Sequence, residues 1–393
     1  MNDNEIIYFC LGLSTVLMCL KLLLGGFRDL VVPICCFYFY FAFGPVINHI
    51  LGNSIYFGTP KEYIPEACII FTVALNTMLL GSIIWPAPKI NFIELKDNKI
   101  HALKPILILS ILYACYAITM VLLGGTGSKV DKIAIAIPAI HYNYLMIQIY
   151  LISFYFLVIE SPLKKIFYLN TISYIAYSLT IGERDFIFPF ISILFHRALL
   201  IQSTSKSFFK LFMSLTTMLI TATGIFYFRD TTQESQGFIS SILNQGSLLF
   251  INTFSLKLLH ERIDYFMGFT YLNSLFNLFP SWIYKTDFNT LDWFKNNYAA
   301  ASTSGYGFGL DAEGYINFSY LGVFFTFFGL LFIQRKITKY ITTHPFFLYY
   351  SVFFSAFTMY SIRNDSLALF KGNLYGIIFF YLIYRLSGKE IKT

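Results

Sequence analysis

Three arginines at the ends of long apolar segments are the residues in this chain best suited to bind an anion. Arg184 lies in the motif GERD, Arg229 in YFRD and Arg363 in SIRND. A guanidinium group keeps its charge and matches the oxygens of a phosphate group in a two-pronged fork. Alternatively, each arginine extends to lipid headgroups or pairs with the carboxylate that follows it. Taken together, the three predict a shared site for an anion such as a pyrophosphate.

Two carboxylates and an asparagine follow a glycine-rich stretch later in the chain. Asp311 and Glu313 stand just before an apolar helix, and Asn317 lies one helical turn after Glu313, on the same face. A carboxylate at a helix start is often only a cap. It is also placed to bind a hydroxyl group or to act as a general base. The sequence leaves both interpretations open.

His260 is a third candidate for proton transfer, and it stands beside Glu261, Arg262 and Asp264. A neutral imidazole can accept a proton near pH 7, although a lone histidine in a loop is often an ordinary surface residue. HExxH, aspartate-rich and P-loop patterns do not occur. The six cysteines lie in apolar segments without metal spacing, as expected of buried, unreactive thiols. We therefore predict neither a metal nor a cofactor.

The composition determines which elements must position these residues. The chain is 56% hydrophobic, 20% aromatic and only 12% charged, and its mean hydropathy is +0.63. A soluble domain cannot bury that much apolar surface. The net charge of +7 is spread over short loops, which argues against a nucleic-acid partner. We predict an all-α polytopic membrane protein that forms a single membrane domain over 1–393.

Apolar runs long enough to cross a bilayer recur along the sequence. They predict about 11 transmembrane helices (range 10–13), near 6–24, 31–50, 64–85, 106–123, 141–159, 167–182, 186–202, 211–228, 314–334, 346–362 and 373–387. The acidic N-terminus does not resemble a cleavable signal peptide, so the first run is expected to be a retained span.

Charge in the loops predicts the orientation. Most of the 28 lysines and arginines fall in one alternating set of loops, which the positive-inside rule places in the cytoplasm together with the C-terminus. The N-terminus, the three arginines and one large loop at 229–313 are then external. Within that loop, 238–256 and 265–284 are apolar but broken by polar residues, which predicts interfacial or re-entrant helices.

Several motifs occur together in the second half of the chain. They are YFRD (227–230), NQGSL (244–248), MGFTYLNSLFNLFP (267–280), DAEGYINFSYLG (311–322) and SIRND (361–365), and GERDFIF (182–188) precedes them. With the hydrophobic layout of most of the chain, this set resembles the Wzy-type O-antigen polymerases, the oligosaccharide repeat-unit polymerases.

The resemblance implies a metal-independent glycosyltransferase on the periplasmic face of a Gram-negative inner membrane. Its donor is a glycan on undecaprenyl pyrophosphate, and its acceptor is one repeat unit on the same carrier. Membrane lipids and a chain-length regulator protein are the other expected partners.

The resemblance also suggests roles for the candidate residues. Arg184, Arg229 and Arg363 would bind the pyrophosphate, and Glu313, His260 or Asp311 would take the acceptor's proton. Asn317, Tyr271 and Tyr315 would bind glycan, although most loop aromatics are expected in an interfacial belt.

Two other functions remain open. An O-antigen ligase would use the same donor with a similar layout, but the motifs at 244–280 and 311–322 favour a polymerase. A flippase or transporter would place charged groups at mid-membrane, often in repeated halves, whereas the predicted spans carry almost no charge in their interiors.

Overall fold

The computed structural model of the chain is helical in every described element, with no strand among the described residues. The structure describes residues 2–25, 29–53, 55, 58–88, 102–125, 129–155, 161–183, 187–200, 238–244, 248–261, 264–279, 283–284, 288–297, 307–341 and 345–386. The described chain falls into two compact units. The prediction of a single membrane domain stays a prediction.

The first unit comprises Met1–Pro88, Ser235–Lys336 and Thr358–Lys371. Its helices are α1 (Asp3–Gly25), α2 (Val31–Ile50), α3 (Ile64–Ile84), α9 (Phe238–Leu243), α10 (Leu248–Glu261), α11 (Phe269–Phe276), α12 (Thr290–Asn297) and most of α13 (Leu310–Ile341). A 3-10 turn, Lys61–Tyr63, precedes α3. Helix α3 packs along α1 and α2 and also contacts α10.

The second unit comprises Lys89–Glu234, Ile337–Phe357 and Gly372–Thr393. Its helices are α4 (Leu103–Leu123), α5 (Lys129–Ile135), α6 (Pro138–Ser153), α7 (Lys164–Ile181), α8 (Ile187–Leu200) and most of α14 (Pro345–Ser361) and α15 (Ser366–Leu386). Helix α4 packs against α7. A buried network of uncharged side chains (Ser110, Gln148 and Asn170) links α4, α6 and α7.

Helices occupy ten of the eleven segments predicted to span the membrane, and the remaining segment, 211–228, lies outside the described residues. Six described helices are long and apolar enough to cross a bilayer, namely Asp3–Leu24, Val31–Ile50, Lys61–Ile84, Leu103–Leu123, Leu310–Ile341 and Ser366–Ile383. The all-α membrane class is therefore confirmed. The larger number of spans and the external position of the loop stay predictions.

Helix α13 is broken near its start. Phe318 (φ −142°, ψ 30°) and Ser319 (φ 54°, ψ −147°) leave the helical region. Gly314 and Gly322 then come into contact, because a Cβ on Gly322 would lie 2.0 Å from the Gly314 carbonyl oxygen. Residues eight apart in a straight helix are about 12 Å apart along the axis. The chain from Leu310 to Asn317 is thus a short arm that folds back on the rest of α13.

An apolar cluster holds this arm in the first unit. Ala312 and Ile316 of the arm pack with Phe250 and Phe294, all buried. The end of the arm is also fixed through its backbone, because Phe266 N donates to the Ile316 carbonyl at 2.9 Å. The described residues of the predicted loop 229–313 form short helices and turns, and several of them pack against the arm.

A buried ionic cluster lies at the C-terminal end of α3. Arg335 binds Asp29 through two hydrogen bonds of 2.7 Å each, and Lys21 Nζ lies 2.6 Å from Asp29. Arg335 also donates to the Trp85 carbonyl, and Lys21 to the Ser82 carbonyl. Burial alone raises the pKa of Asp29, but Arg335 and then Lys21 outweigh it and hold this pKa below its ordinary value. The cluster joins the ends of α1, α3 and α13.

Candidate functional site

Glu313 lies on the α13 arm, with no exposed surface. Its Oε1 accepts hydrogen bonds from the hydroxyls of Thr270 (2.8 Å) and Ser366 (2.7 Å), and its Oε2 accepts from Ser366 N at 2.5 Å. Ser366 is the first residue of α15. A carboxylate at a helix N-terminus is stabilised by the unpaired N–H groups and the helix dipole. Glu313 therefore caps α15, a different helix from its own.

Asp365 is a second carboxylate at the start of α15, and its Oδ1 accepts from Ala368 N at 3.1 Å, as an N-cap residue does. Burial raises the pKa of Asp365 above its ordinary value, and backbone N–H groups partly offset this. Asp365 is thus engaged by the helix that it caps.

Asn317 ties the end of the arm to the turn before α11. Its Nδ2 donates to Thr270 Oγ1 at 2.7 Å, and its Oδ1 accepts from Gly268 N at 2.9 Å. The same Nδ2 reaches the Glu313 carbonyl at 2.8 Å. Because Thr270 in turn donates to the Glu313 carboxylate, the sequence spacing of Glu313 and Asn317 correctly indicated a common face, and that face is buried.

Asp311 is also fully buried. Its Oδ2 accepts from Tyr38 Oη at 2.8 Å and from Asn252 Nδ2 at 3.2 Å, and its Oδ1 accepts from Ala312 N at 2.9 Å. A buried charge is tolerated only when several donors surround it. These contacts join the start of the arm to α2 and α10.

Arg363 lies in the turn between α14 and α15, beside the start of the arm. Leu310 N and Gly309 N donate to the carbonyls of Ile362 and Asn364, at 3.3 and 3.2 Å. The guanidinium carbon lies 4.8 Å from the ring centroid of Phe41. Its Nε is buried without a hydrogen-bond partner, and no carboxylate of the described chain lies within ion-pair distance of Arg363.

His260 stands in a different cluster, at the C-terminal end of α10. Its Nε2 lies 3.3 Å from Glu66 Oε2, and the other Glu66 oxygen accepts from Tyr315 Oη at 2.8 Å. The Tyr63 ring lies 5.5 Å from the imidazole. The His260 side chain is 50% exposed and that of Glu66 is 27% exposed, so this cluster is open to solvent or ligand.

Tyr271 lies on α11, where its hydroxyl is 2.8 Å from Thr326 Oγ1. Burial raises the pKa of this phenol, and the charge of Glu313 adds to the effect. Tyr271 is therefore partly buried, and its phenol is under the electrostatic influence of Glu313.

Most of the candidate residues that the structure describes thus lie on one element. Asp311, Glu313, Tyr315 and Asn317 all lie on the α13 arm, and Arg363 touches its start. Arg184 and Arg229 lie outside the described residues. Convergence of the three arginines, and the catalytic role predicted for Glu313, His260 or Asp311, stay predictions.

Sequence reasoning missed Glu66 and the donors around the two buried carboxylates. Glu66 follows Pro65 at the start of an apolar helix. In the sequence this position indicates only a carboxylate that stabilises the first turn of a helix. The donors (Tyr38, Asn252, Thr270 and Ser366) come from four other helices and carry no sequence signal. Within the described part of the chain, no three His, Cys, Asp or Glu side chains are grouped closely enough to hold a metal ion.

Comparison with known proteins gives one result that covers nearly the whole chain. The family model described as O-antigen polysaccharide polymerase Wzy matches residues 3–389. Comparisons with curated proteins and with solved structures find no significant match. The family match includes both units and every candidate residue discussed above. The chain is a multi-pass membrane protein that belongs to the O-antigen polysaccharide polymerase Wzy family.

Proposed function

We propose that this chain polymerises oligosaccharide repeat units carried on undecaprenyl pyrophosphate. A hydroxyl oxygen of the acceptor's distal sugar attacks the anomeric carbon of the donor glycan. The bond from that carbon to the pyrophosphate oxygen breaks, undecaprenyl pyrophosphate leaves with its electrons, and a base takes the hydroxyl proton. The family match supports the polymerase role, and the motifs at 244–280 and 311–322 favour it over ligase and flippase activity.

Arg363 is the residue that we propose to bind the leaving group. An arginine at a helix end ordinarily pairs with a nearby carboxylate, yet Asp365, two residues away, is engaged with Ala368 N instead. Arg363 rests on the Phe41 ring, which leaves its fork of donors for a ligand. We assign it to the pyrophosphate, whose charge grows as the glycosidic bond breaks, together with Arg184 and Arg229. Such electrostatic contributions are usually large.

His260 is the favoured base among the three candidates, because a base must reach the acceptor. Its imidazole is half exposed, whereas Asp311 and Glu313 are fully buried and surrounded by donors. We assign these two carboxylates a positioning role: they fix the arm, which contacts the Arg363 turn at its start and carries Tyr315. From Leu310 to Tyr315 the arm advances about 7.5 Å, a separation that suits one glycosyl-transfer site.

The two ends of α3 support a periplasmic position for this site. Glu66 and Ser82 are separated by about 24 Å along the helix, and Ser82 belongs to the end with Lys21 and Arg335. The positive-inside rule assigns that end to the cytoplasm. We therefore place Glu66 and the arm on the periplasmic face of the inner membrane, where lipid-linked repeat units and a chain-length regulator would be met.

Lipopolysaccharide from a deletion strain tests the function. Without the gene, each lipopolysaccharide molecule should carry a single repeat unit, and a plasmid copy should restore the ladder of chain lengths. Arg363→Ala should leave the single-repeat form, and Arg363→Lys should restore the ladder poorly because a point charge lacks the fork.

The control is Arg385→Ala, which removes an exposed arginine near the end of α15 and should give a normal ladder. Immunoblots of membranes check that all variants are present. A normal ladder in the deletion strain would exclude the polymerase function. Loss of every attached repeat unit would favour a ligase instead.

A further inference from the structure

The exposed cluster around Glu66 has the composition of a carbohydrate subsite. Resting on the proposed polymerase function, we propose that Glu66, His260 and the tyrosines around them bind the terminal sugar of the acceptor glycan. The tyrosines are Tyr63, Tyr265, Tyr315 and Tyr320, from three separate stretches of chain that are near in space.

The Glu66 carboxylate is held in place but not saturated. One oxygen accepts from Tyr315 Oη and the other faces His260 Nε2, which uses two of its about four lone-pair sites. The Glu66 side chain is 27% exposed, so the carboxylate is accessible to a ligand. A carboxylate held in a fixed position is a good hydrogen-bond acceptor for sugar hydroxyl groups.

Aromatic rings surround this carboxylate. The Tyr315 ring lies 6.3 Å from Tyr265 and 5.1 Å from Tyr320, each nearly edge-to-face. Tyr265 is 38% exposed. The C–H face of a pyranose packs well on an aromatic ring, while its hydroxyl edge meets the few polar groups that give specificity. A membrane-interface belt explains tyrosines alone, but it does not explain a carboxylate bonded among them.

His260 gains a definite orientation from Glu66. A carboxylate facing Nε2 favours the tautomer that carries its proton there. The lone pair of Nδ1 is then available for the proton of the acceptor hydroxyl. Among the described residues Nδ1 has no hydrogen-bond partner. Glu66 is therefore both a sugar-binding group and the positioning residue for the proposed base.

Direct binding tests the subsite without requiring polymerisation. The probe is the single-repeat oligosaccharide released by mild acid from lipopolysaccharide of the deletion strain. It is titrated into the full-length protein in detergent, and saturation-transfer NMR reports the bound fraction. The wild-type chain should bind saturably. Glu66→Gln should weaken binding at least tenfold, and Tyr315→Phe should weaken it severalfold because Glu66 loses the donor that fixes it.

Two controls separate this inference from the proposed function. Glu62→Gln removes a carboxylate in the preceding turn, outside these contacts, and should bind as the wild type does. Arg363→Ala should bind the oligosaccharide normally but fail to polymerise. Glu66→Gln with wild-type affinity and a native melting temperature would overturn the subsite, as would absence of saturable wild-type binding. Neither result bears on the polymerase function, which the lipopolysaccharide ladder tests separately.

Discussion

Gly307 packs directly against the backbone of Arg363: a Cβ at position 307 would lie 1.6 Å from the Arg363 carbonyl oxygen and 3.1 Å from Asn364 Oδ1. The oxygen belongs to backbone, so it cannot move away as a flexible side chain would. The described residues directly before α13, Gly307 to Gly309, therefore pack against the Arg363 turn. The absence of a side chain at Gly307 allows this close contact with the Arg363 backbone.

Gly307→Ala should accordingly impair the enzyme without touching a charged group. The methyl group must displace the Arg363 turn, and a shift of about 1 Å at a positioning group can lower a rate by roughly 100-fold. We expect lipopolysaccharide with mainly single repeats. Gly329→Ala, where no atom lies within 4 Å of the added carbon, is the matched control and should keep the ladder. An unchanged ladder in Gly307→Ala would show that this contact does not set the Arg363 position.

Ser319→Gly should stabilise the protein. Ser319 has φ 54° and ψ −147°, a region that is essentially restricted to glycine and costs other residues about 1–3 kcal/mol. Glycine removes that strain, so we expect the free energy of unfolding to rise by about 1 kcal/mol and the melting temperature in detergent to increase.

A serine-to-glycine substitution inside a regular helix should change the free energy of unfolding in the opposite direction. Ser355→Gly, in the middle of α14, should lower the free energy of unfolding by roughly 0.5–1 kcal/mol, because glycine loses more backbone freedom there. Equal effects at 319 and 355 would mean that the break in α13 carries no strain.

Sequence patterns predicted the helices well because each apolar run is a local signal. Three candidates that share the arm, Asp311, Glu313 and Asn317, were also grouped by the sequence, since they are close in the chain. The break at Phe318 and Ser319 was not predictable, because neither residue is a glycine or proline. The break brings Gly314 against Gly322, a contact that only the folded chain reveals.

The Glu66 cluster shows a larger limit of prediction from sequence. Tyr315 and Glu66 are 249 positions apart, and His260 lies on a third helix. A hydrogen bond between such residues depends on tertiary packing. Hydrophobic periodicity and local motifs carry no information about such packing. His260 was found by its residue type, whereas its partner Glu66 was not.

Removal of the Glu313 carboxylate should destabilise the chain. Glu313→Ala leaves the hydroxyls of Thr270 and Ser366 and the Ser366 N–H without their acceptor, at about 1–3 kcal/mol for each buried group. We expect a large fall in the melting temperature, or failure to accumulate in the membrane. Glu313→Gln keeps one acceptor oxygen and should fall between the alanine variant and the wild type.

This pair of variants also separates positioning from catalysis at Glu313. If the carboxylate only fixes the arm, polymerisation and melting temperature should decrease together along the series. Glu313→Gln with a native melting temperature but no polymer would instead favour the role of base, and would displace His260 from it. The exposed Glu5, whose carboxylate caps the start of α1, supplies a control as Glu5→Gln.

The cluster of Asp29 with Lys21 and Arg335 should make stability depend on pH. The two cations hold the pKa of Asp29 below its ordinary value of 3.8 in the folded chain. Stabilisation from this carboxylate is therefore complete above that value and is lost as the pH falls through the lower folded pKa. Melting temperature, measured from neutral pH down to about pH 3, should drop at the acid end of the range.

Asp29→Asn should remove much of this dependence and lower stability at neutral pH by about 3–5 kcal/mol, because it leaves two buried cations without a counter-charge. Asp3→Asn, at the exposed start of α1, should change neither quantity. An Asp29→Asn variant that melts like the wild type at neutral pH would show that the ionic cluster is not needed to join α1, α3 and α13. In that case these helix ends are held mainly by apolar contacts such as Gly81 against Leu331.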